Sequence, residues 1–155
     1  MAAISFKSVG EIAASNQQLA QPDPPPIGIA TPMQLGEGSD SIFKMHRNLE
    51  RQIADNLRNL ILTNHGERLG LYDFGANLLP ISFSFSSPDW ETEAMLRIKS
   101  AVGKYMPFVV LDSFEPEINN NADPALSDIA ITVSYSVPTA GISNKAIKVF
   151  LKLGG

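Results

Sequence analysis

The chain has 155 residues, of which 44% are apolar and 18% are charged, a balance typical of one globular domain and not of a disordered chain. Its net charge is −4 and it has no Lys/Arg run, which argues against a nucleic-acid partner. It has no cysteine, which excludes disulfides, thiolate metal sites and a thiol nucleophile. No apolar run approaches the roughly 20 residues that span a bilayer, so neither a classical signal peptide nor membrane insertion is expected.

Residues 1–38 are predicted to form an extended arm. Five of the 11 prolines fall in this stretch, including those of Asp23-Pro24-Pro25-Pro26. Proline fixes φ and lacks the amide hydrogen, so the stretch favours an extended, polyproline-like chain with at most a short helix over 9–19. Two interpretations stay open: the arm packs loosely on its own domain, or it orders along a partner protein.

Residues 40–63 are predicted to form the first main helix, with Ser39 or Asp40 as its cap. Apolar side chains recur here at steps of three and four residues, which is the helical period. They are Ile42, Met45, Leu49, Ile53, Leu57, Leu60 and Ile61. The opposite faces carry charged residues, so the pattern indicates a core helix with a solvated side.

A second helix is predicted over 88–106. Ser87 is placed to cap it, Pro88 occupies the first helical position, and Pro107 ends it. Its predicted apolar face consists of Trp90, Ala94, Met95, Ile98, Ala101, Val102 and Tyr105.

The remaining sequence predicts strands. One strand is expected over 108–115, where Pro116 would end it, and a polar loop follows at 119–124. Apolar and polar residues alternate over 129–137 and again over 145–153, which predicts two half-buried strands paired as a hairpin around a turn at 138–144. The expected fold is therefore α+β: two main helices packed on a small, mostly antiparallel sheet, preceded by the arm.

An unusual loop follows the first predicted helix. It reads Leu62-Thr63-Asn64-His65-Gly66-Glu67-Arg68, and Tyr72-Asp73-Phe74-Gly75-Ala76-Asn77-Leu78 comes shortly after. Gly66 is predicted to end the helix in a left-handed conformation, which costs other residues energy. Gly75 is predicted to be a second special backbone position, with Phe74 turned inward as an anchor.

Enzyme chemistry has little support in these residues. His65, Glu67 and Asp73 could be imagined as a metal cluster, but their spacing is not diagnostic. Glu67 and Asp73 could also be imagined as a glycosidase pair, yet Arg68 beside Glu67 would lower the pKa of that carboxyl, whereas a general acid needs it raised. No cofactor, metal or catalytic residue is therefore expected. Arg68 is interpreted as a brace that donates forked hydrogen bonds to the loop, with an ordinary surface ion pair as the alternative.

Taken in order, the long helix, T-x-x-G-E-R, F-G-x-x-L, the second helix ending Y-x-P and the hairpin resemble the gene-25-like baseplate wedge family of contractile phage tails and type VI secretion systems. The resemblance covers roughly residues 40–153 and implies a structural protein, although the family has at times carried a lysozyme-like label. It divides the chain into an arm, 1–38, and a wedge domain, 39–155. The family often has Glu-Pro-Arg after the second helix, implicated in docking to the wedge core. This chain has Met106-Pro107-Phe108 there, so a docking site would be apolar or would use other residues.

The resemblance implies partners rather than substrates: other baseplate wedge proteins, the tail sheath protein, and tube or hub proteins for the arm. It implies a virion location in the tail baseplate, assembly in the bacterial host cytoplasm, and multiple copies set by baseplate symmetry. The family is understood to initiate the sheath by strand exchange. The final strand is the candidate template, through Lys145, Ile147, Lys148, Val149 and Leu151. The residues alone leave a second interpretation open, in which Lys148 and Lys152 protect an ordinary edge strand against unspecific pairing, and the resemblance favours the template. The alternative is a small cytoplasmic anti-adaptor regulator of the same fold family.

Overall fold

The computed structural model describes residues 23–38, 40, 42–83, 89–119 and 128–152. The chain divides into two compact units, Met1–Arg47 and Asn48–Gly155. The helix predicted over 9–19 lies outside the described residues. Among the helices in the described ranges, none combines the length and the apolar character needed to cross a membrane.

Within the first unit, the described part of the chain forms a small antiparallel pairing that the sequence did not predict. Strand β1 (Gly28–Ile29) pairs with β2 (Met45–His46), and an isolated bridge joins Leu35 to Phe43. The Asp40 carboxylate accepts hydrogen bonds from the Met45 backbone at 3.1 Å and from the Arg47 guanidinium at 2.8 Å. The segment around Asp40 is therefore part of a strand pairing.

The predicted start of the first main helix is wrong by nine residues. Helix α1 spans Leu49–Leu62, and its cap is Asn48, whose side chain accepts from the Glu50 backbone at 2.8 Å. Asp40 does not cap it, and Ser39 lies outside the described residues. Ile42 is 68% exposed, although its spacing matches the helical period of the buried positions further along. Hydrogen bonding to Asp40 and strand pairing hold this segment extended, and these contacts override the periodic pattern.

The second unit confirms the predicted α+β fold. Its helices are α1, a short α2 (Leu79–Phe83) that the sequence did not predict, and α3 (Trp90–Tyr105). Its strands are β3 (Val110–Asn119), β4 (Asp128–Val137) and β5 (Ile142–Lys152). They form an antiparallel sheet in the order β3-β4-β5, so β4 is central and β5 lies at an edge.

The core of this unit lies between the helices and one face of the sheet. On β4 the five positions predicted to face the core are buried: Ile129, Ile131, Val133, Tyr135 and Val137. Ala130 departs from the predicted alternation, because it is 1% exposed although the pattern assigns it to the opposite side. The predicted apolar face of α3 is also buried at Trp90, Ala94, Ile98, Ala101 and Val102. Met95 departs from this prediction, because it is 41% exposed.

The end of α3 at Tyr105, one residue before Met106, confirms the stop assigned to Pro107. The predicted start at 88 is wrong, because α3 begins at Trp90 with Asp89 at its N-cap position, so neither Ser87 as the cap nor Pro88 as the first helical residue holds. Both of these residues lie outside the described ranges.

The predicted strand end at Pro116 is wrong, because β3 continues through Pro116, which pairs with Ile131. Proline lacks an N–H and is normally tolerated only where a sheet needs no donor. In this sheet β3 has a neighbour on one side only, so half of its backbone groups have no strand to bond. Because Pro116 lies in an edge strand, its missing N–H does not have to remove a hydrogen bond from the sheet, and the strand continues through it.

The predicted hairpin between the last two strands is confirmed, with a tighter turn than expected. A 3-10 turn, Pro138–Ala140, and Gly141 at φ +66° reverse the chain, and β5 begins at Ile142 rather than at residue 145. Residues 153–155, which include the last position of the predicted strand, lie outside the described residues.

Candidate partner-binding site

The loop between α1 and α2 is held by unusual backbone conformations at both predicted glycines. Gly66 has φ +88° and Gly75 has φ +111°. A Cβ on Gly75 would lie 2.1 Å from the Thr63 carbonyl oxygen, so no other residue fits there without displacing the chain. Gly66 does not end the helix as predicted, because α1 ends at Leu62 with Thr63 as its cap. The left-handed conformation of Gly66 instead turns the loop itself.

Glu67, not Arg68, supplies the hydrogen bonds that brace this loop. One Glu67 carboxylate oxygen accepts from the Asn64 backbone at 2.8 Å, and the other accepts from the Asn64 side chain at 2.9 Å. The Asn64 side-chain oxygen accepts in turn from the Leu79 backbone at 3.1 Å, which ties the loop to α2. The hydrogen bonds from Asn64 lower the pKa of the Glu67 carboxyl. The direction of the predicted shift is therefore right and its predicted cause, Arg68, is wrong.

Arg68 lies on an aromatic ring. Its guanidinium carbon is 4.2 Å from the centre of the Phe74 ring, which is a cation–π contact. Phe74 packs against the core, as predicted for an inward anchor, and meets the Tyr105 ring edge-on at 4.9 Å between centroids. Within the described ranges Arg68 has this cation–π contact with Phe74 in place of the predicted forked hydrogen bonds.

Asp73 ties the loop to the end of α3. Its carboxylate accepts from the Tyr105 hydroxyl at 2.8 Å and from the Lys104 ammonium. These bonds, from Lys104 first and Tyr105 second, lower the pKa of the Asp73 carboxyl. No local sequence pattern indicates this contact, because Asp73 and Tyr105 are 32 positions apart.

The structure brings two of the sequence-predicted segments together in one cleft. Arg68 and the Met106-Pro107-Phe108 segment are far apart in the chain, yet Arg68, Met106 and Phe108 all line a cleft of about 700 Å³. Met106 follows the last residue of α3 as its cap and is 6% exposed, whereas Phe108 is 44% exposed at the surface. The remaining lining residues are Asn56, Asn59, Leu60, Thr63, Glu67, Phe74 and Tyr105. We refer to this site as the Arg68 cleft.

The predicted template strand lies at the sheet edge, but its candidate residues fall on opposite faces. Ile147 and Val149 are buried in the core and Leu151 is partly buried against it. Lys148 lies on the outer face and bonds the Glu117 carboxylate of β3 at 2.6 Å, while Lys145 bonds Glu50 of α1 at 2.8 Å. The apolar members of the predicted set are therefore available to a partner through their backbone edge rather than through their side chains.

The carboxylates imagined as a glycosidase pair lack the required electrostatics. A general acid needs a raised pKa, whereas hydrogen bonds lower the pKa of both Glu67 and Asp73. Within the described ranges, no group of three or more His, Cys, Asp or Glu side chains is placed to hold a metal ion. What these residues do build is a braced loop beside an open cleft.

Two solved structures with a similar fold align with most of this chain. A candidate tail lysozyme from Geobacter sulfurreducens aligns with a TM-score of 0.60 at 21% identity, over 72% of this chain and 96% of that one. A chain of the six-fold symmetrised anti-feeding prophage baseplate aligns with a TM-score of 0.58 at 15% identity, over 70% of this chain and 82% of that one. No family model matches the chain, and no curated protein matches it significantly. The fold is therefore similar to one that occurs in the anti-feeding prophage baseplate.

Proposed function

We propose that this chain is a structural component of a contractile tail baseplate, which docks on other wedge proteins and initiates the sheath by β-strand addition. The observation that carries the proposal is the position of β5 at the edge of the sheet formed by the described strands, in a fold similar to that of a chain of the anti-feeding prophage baseplate. An unpaired strand edge presents backbone donors and acceptors that a strand from another chain can bond.

The two edges of the sheet differ, and the difference favours β5. Strand β3 carries Pro116, which cannot donate, and its register with β4 shifts between Leu111 and Ser113. Strand β5 has no proline; its own register shift with β4 lies beside the turn, between Ile142 and Lys145, and from Lys145 to Lys152 the pairing is uninterrupted. A regular edge of this length offers the longer ladder to an added strand.

The proposal assigns wedge docking to the Arg68 cleft, beside the segment that replaces the family's Glu-Pro-Arg. Phe108 supports this assignment, because an aromatic ring exposed by 44% at the mouth of a cleft is a suitable anchor for a partner. The chain would then be present in several copies through baseplate symmetry, within a virion tail assembled in the host cytoplasm. The arm, 1–38, is proposed to order along a tube or hub protein.

The proposal includes no catalytic step. This should be tested, because one protein with a similar fold is named as a candidate lysozyme. The Geobacter sulfurreducens protein is named as a candidate tail lysozyme, whereas the lowered pKa values of Glu67 and Asp73 support a structural role here. Purified chain is expected to release no soluble fragments from peptidoglycan. Turnover that disappears in Glu67→Gln would replace the structural proposal with a hydrolase.

Strand addition can be tested by disulfide trapping, because the chain has no cysteine of its own. Ser134 of β4 pairs with Ser113 on one side and with Ala146 on the other, so Ser113→Cys and Ala146→Cys are matched probes of the two edges. Each variant is co-expressed with the sheath protein of the same genome, which carries single cysteines along its terminal segments. Cβ atoms of directly opposite residues in adjacent strands lie about 4.5 to 5.5 Å apart, so a small adjustment allows a disulfide to form.

The proposal expects cross-links from Ala146→Cys and none from Ser113→Cys. Cross-links from Ser113→Cys alone would move the template to β3. If folded full-length chain captures neither the sheath nor any wedge protein, the baseplate role fails and a soluble regulator becomes the better interpretation. Truncation before β5 is unsuitable for this test, because it would remove Ile147 and Val149 from the core.

A further inference from the structure

Two charged side chains line the Arg68 cleft, and they differ in the polar contacts that they already make. Both carboxylate oxygens of Glu67 are already bonded by Asn64, at 2.8 and 2.9 Å. For Arg68 the contact is with the Phe74 ring, and within the described ranges no carboxylate forms an ion pair with it. The cleft therefore offers one cation that has no anionic partner, on a chain whose net charge is −4.

The contact with Phe74 orients the Arg68 guanidinium but does not neutralise its charge. A guanidinium carries five N–H donors, and a contact with one aromatic ring does not use all of them. Holding the group on a ring also reduces the side-chain freedom that a partner would otherwise have to restrict. Arg68 is thus prepared for a group that accepts two parallel hydrogen bonds, which a carboxylate does.

Apolar surface lies beside the cation. Leu60 and Met106 are buried and form the floor, and Phe108 is 44% exposed. The cleft measures about 700 Å³, within the roughly 300 to 1,000 Å³ of sites that enclose small ligands, so it accepts a few side chains. Because Arg68 and Phe108 are exposed, a free small carboxylate would stay largely in water, whereas a protein segment would cover both.

We propose that the Arg68 cleft docks a segment of a partner protein in which a carboxylate side chain lies next to a large apolar one. The carboxylate pairs with Arg68, and the apolar side chain covers Phe108 and Met106. This inference rests on the proposed docking role of the same cleft and names the chemistry of its partner. The cleft is therefore expected to select an acidic segment. Its cation comes from the loop, and the side chains that it receives from the segment after α3 are apolar.

The test selects short random displayed peptides on the full-length chain and measures the enriched peptides by titration. Peptides that place Asp or Glu beside Leu, Phe or Trp are expected to be enriched. Arg68→Gln is expected to weaken binding by about tenfold or more, as is Asp→Asn or Glu→Gln in the peptide. The matched control is Arg51→Gln, an exposed arginine on α1 outside the cleft, which should leave binding unchanged. Binding should also weaken as salt rises.

Enrichment of basic or uncharged peptides, no enrichment at all, or equal binding by Arg68→Gln would overturn the inference. Amide NMR spectra establish that each variant is folded, and Phe108→Ser provides a second variant if Arg68→Gln is not. This selection uses no baseplate protein, so its result is independent of the sheath cross-linking. A negative cross-link with a positive selection would reject the sheath role and keep the cleft chemistry.

Discussion

At Gly75 a single hydrogen atom in place of a side chain lets the loop close against α1. The Gly75 backbone has φ +111°, and the next two residues donate N–H groups to α1, Ala76 to Leu60 at 3.1 Å and Asn77 to Thr63 at 3.2 Å. The loop is therefore bonded to the end of the helix through its backbone, at the point where Gly75 approaches it. Gly66 and Gly70 also have positive φ, but neither meets a backbone atom at such a distance.

Gly75→Ala is expected to destabilise the fold by more than about 2 kcal/mol, because it adds a steric clash to the cost of a left-handed conformation. Gly70→Ala is the matched control, since φ is +80° there and no atom lies within 4 Å of the added Cβ. The control should cost about 1 to 2 kcal/mol, the conformational part alone. Urea unfolding measures both variants, and equal losses would show that the approach to Thr63 is unimportant.

The Asp73 carboxyl is expected to make stability fall in acid. Its folded-state pKa lies below the ordinary value of 3.8, chiefly because of the hydrogen bond from Lys104. A depressed pKa means that this contribution is present above 3.8 and is lost as the pH falls through the lower folded-state value. Asp73→Asn should therefore lower the thermal midpoint near neutral pH and reduce its decline between about pH 5 and about pH 2. Parallel curves for parent and variant would contradict this role of Asp73.

The inward and outward faces of strand β5 have different roles. One face carries Ile147 and Val149 into the core, and the other carries Lys148 and Phe150 on the outside of the sheet. Lys148 crosses β4 to reach Glu117, and both side chains are exposed, at 44% and 58%. Such pairs contribute little to stability, so the stability of β5 depends on its inward face while its backbone edge stays available.

Substitutions at neighbouring positions of β5 should separate the contributions of its two faces to stability. Ile147→Ala is expected to cost about 2 to 5 kcal/mol, because Ile147 is 3% exposed and its loss leaves a cavity. Lys148→Ala is expected to cost less than about 1 kcal/mol. Chemical denaturation compares the two, and a larger loss at Lys148 would mean that the outer face supports the fold.

Helices and strands were predicted correctly where a local sequence pattern is enough to define them. The alternation in β4 and the apolar face of α3 depend on which side faces the core, and their periods record it directly. The start of α1 and the passage of β3 through Pro116 depend on strand partners distant in sequence. Periodicity at Ile42 and the breaker rule at Pro116 therefore gave wrong ends, although both elements exist.

At the scale of the whole chain, the buried cluster lies entirely in the second unit, from Ile53 to Val149. A chain lacking residues 1–46 is therefore expected to keep a cooperative thermal transition, since it retains this cluster together with the Asn48 cap of α1. Calorimetry or circular dichroism would measure it. A broad transition or a collapsed midpoint would show that the first unit is needed for the fold.

Sequence alone determined the fold class, the main helices, the final hairpin and the special glycines of the loop, because composition, period and backbone chemistry are local properties. Only the tertiary structure decided which strand lies at which edge, that Glu67 rather than Arg68 braces the loop, and that Arg68 shares a cleft with Met106 and Phe108. These features arise when segments distant in the chain are packed together, and no spacing in the sequence records which groups will then meet.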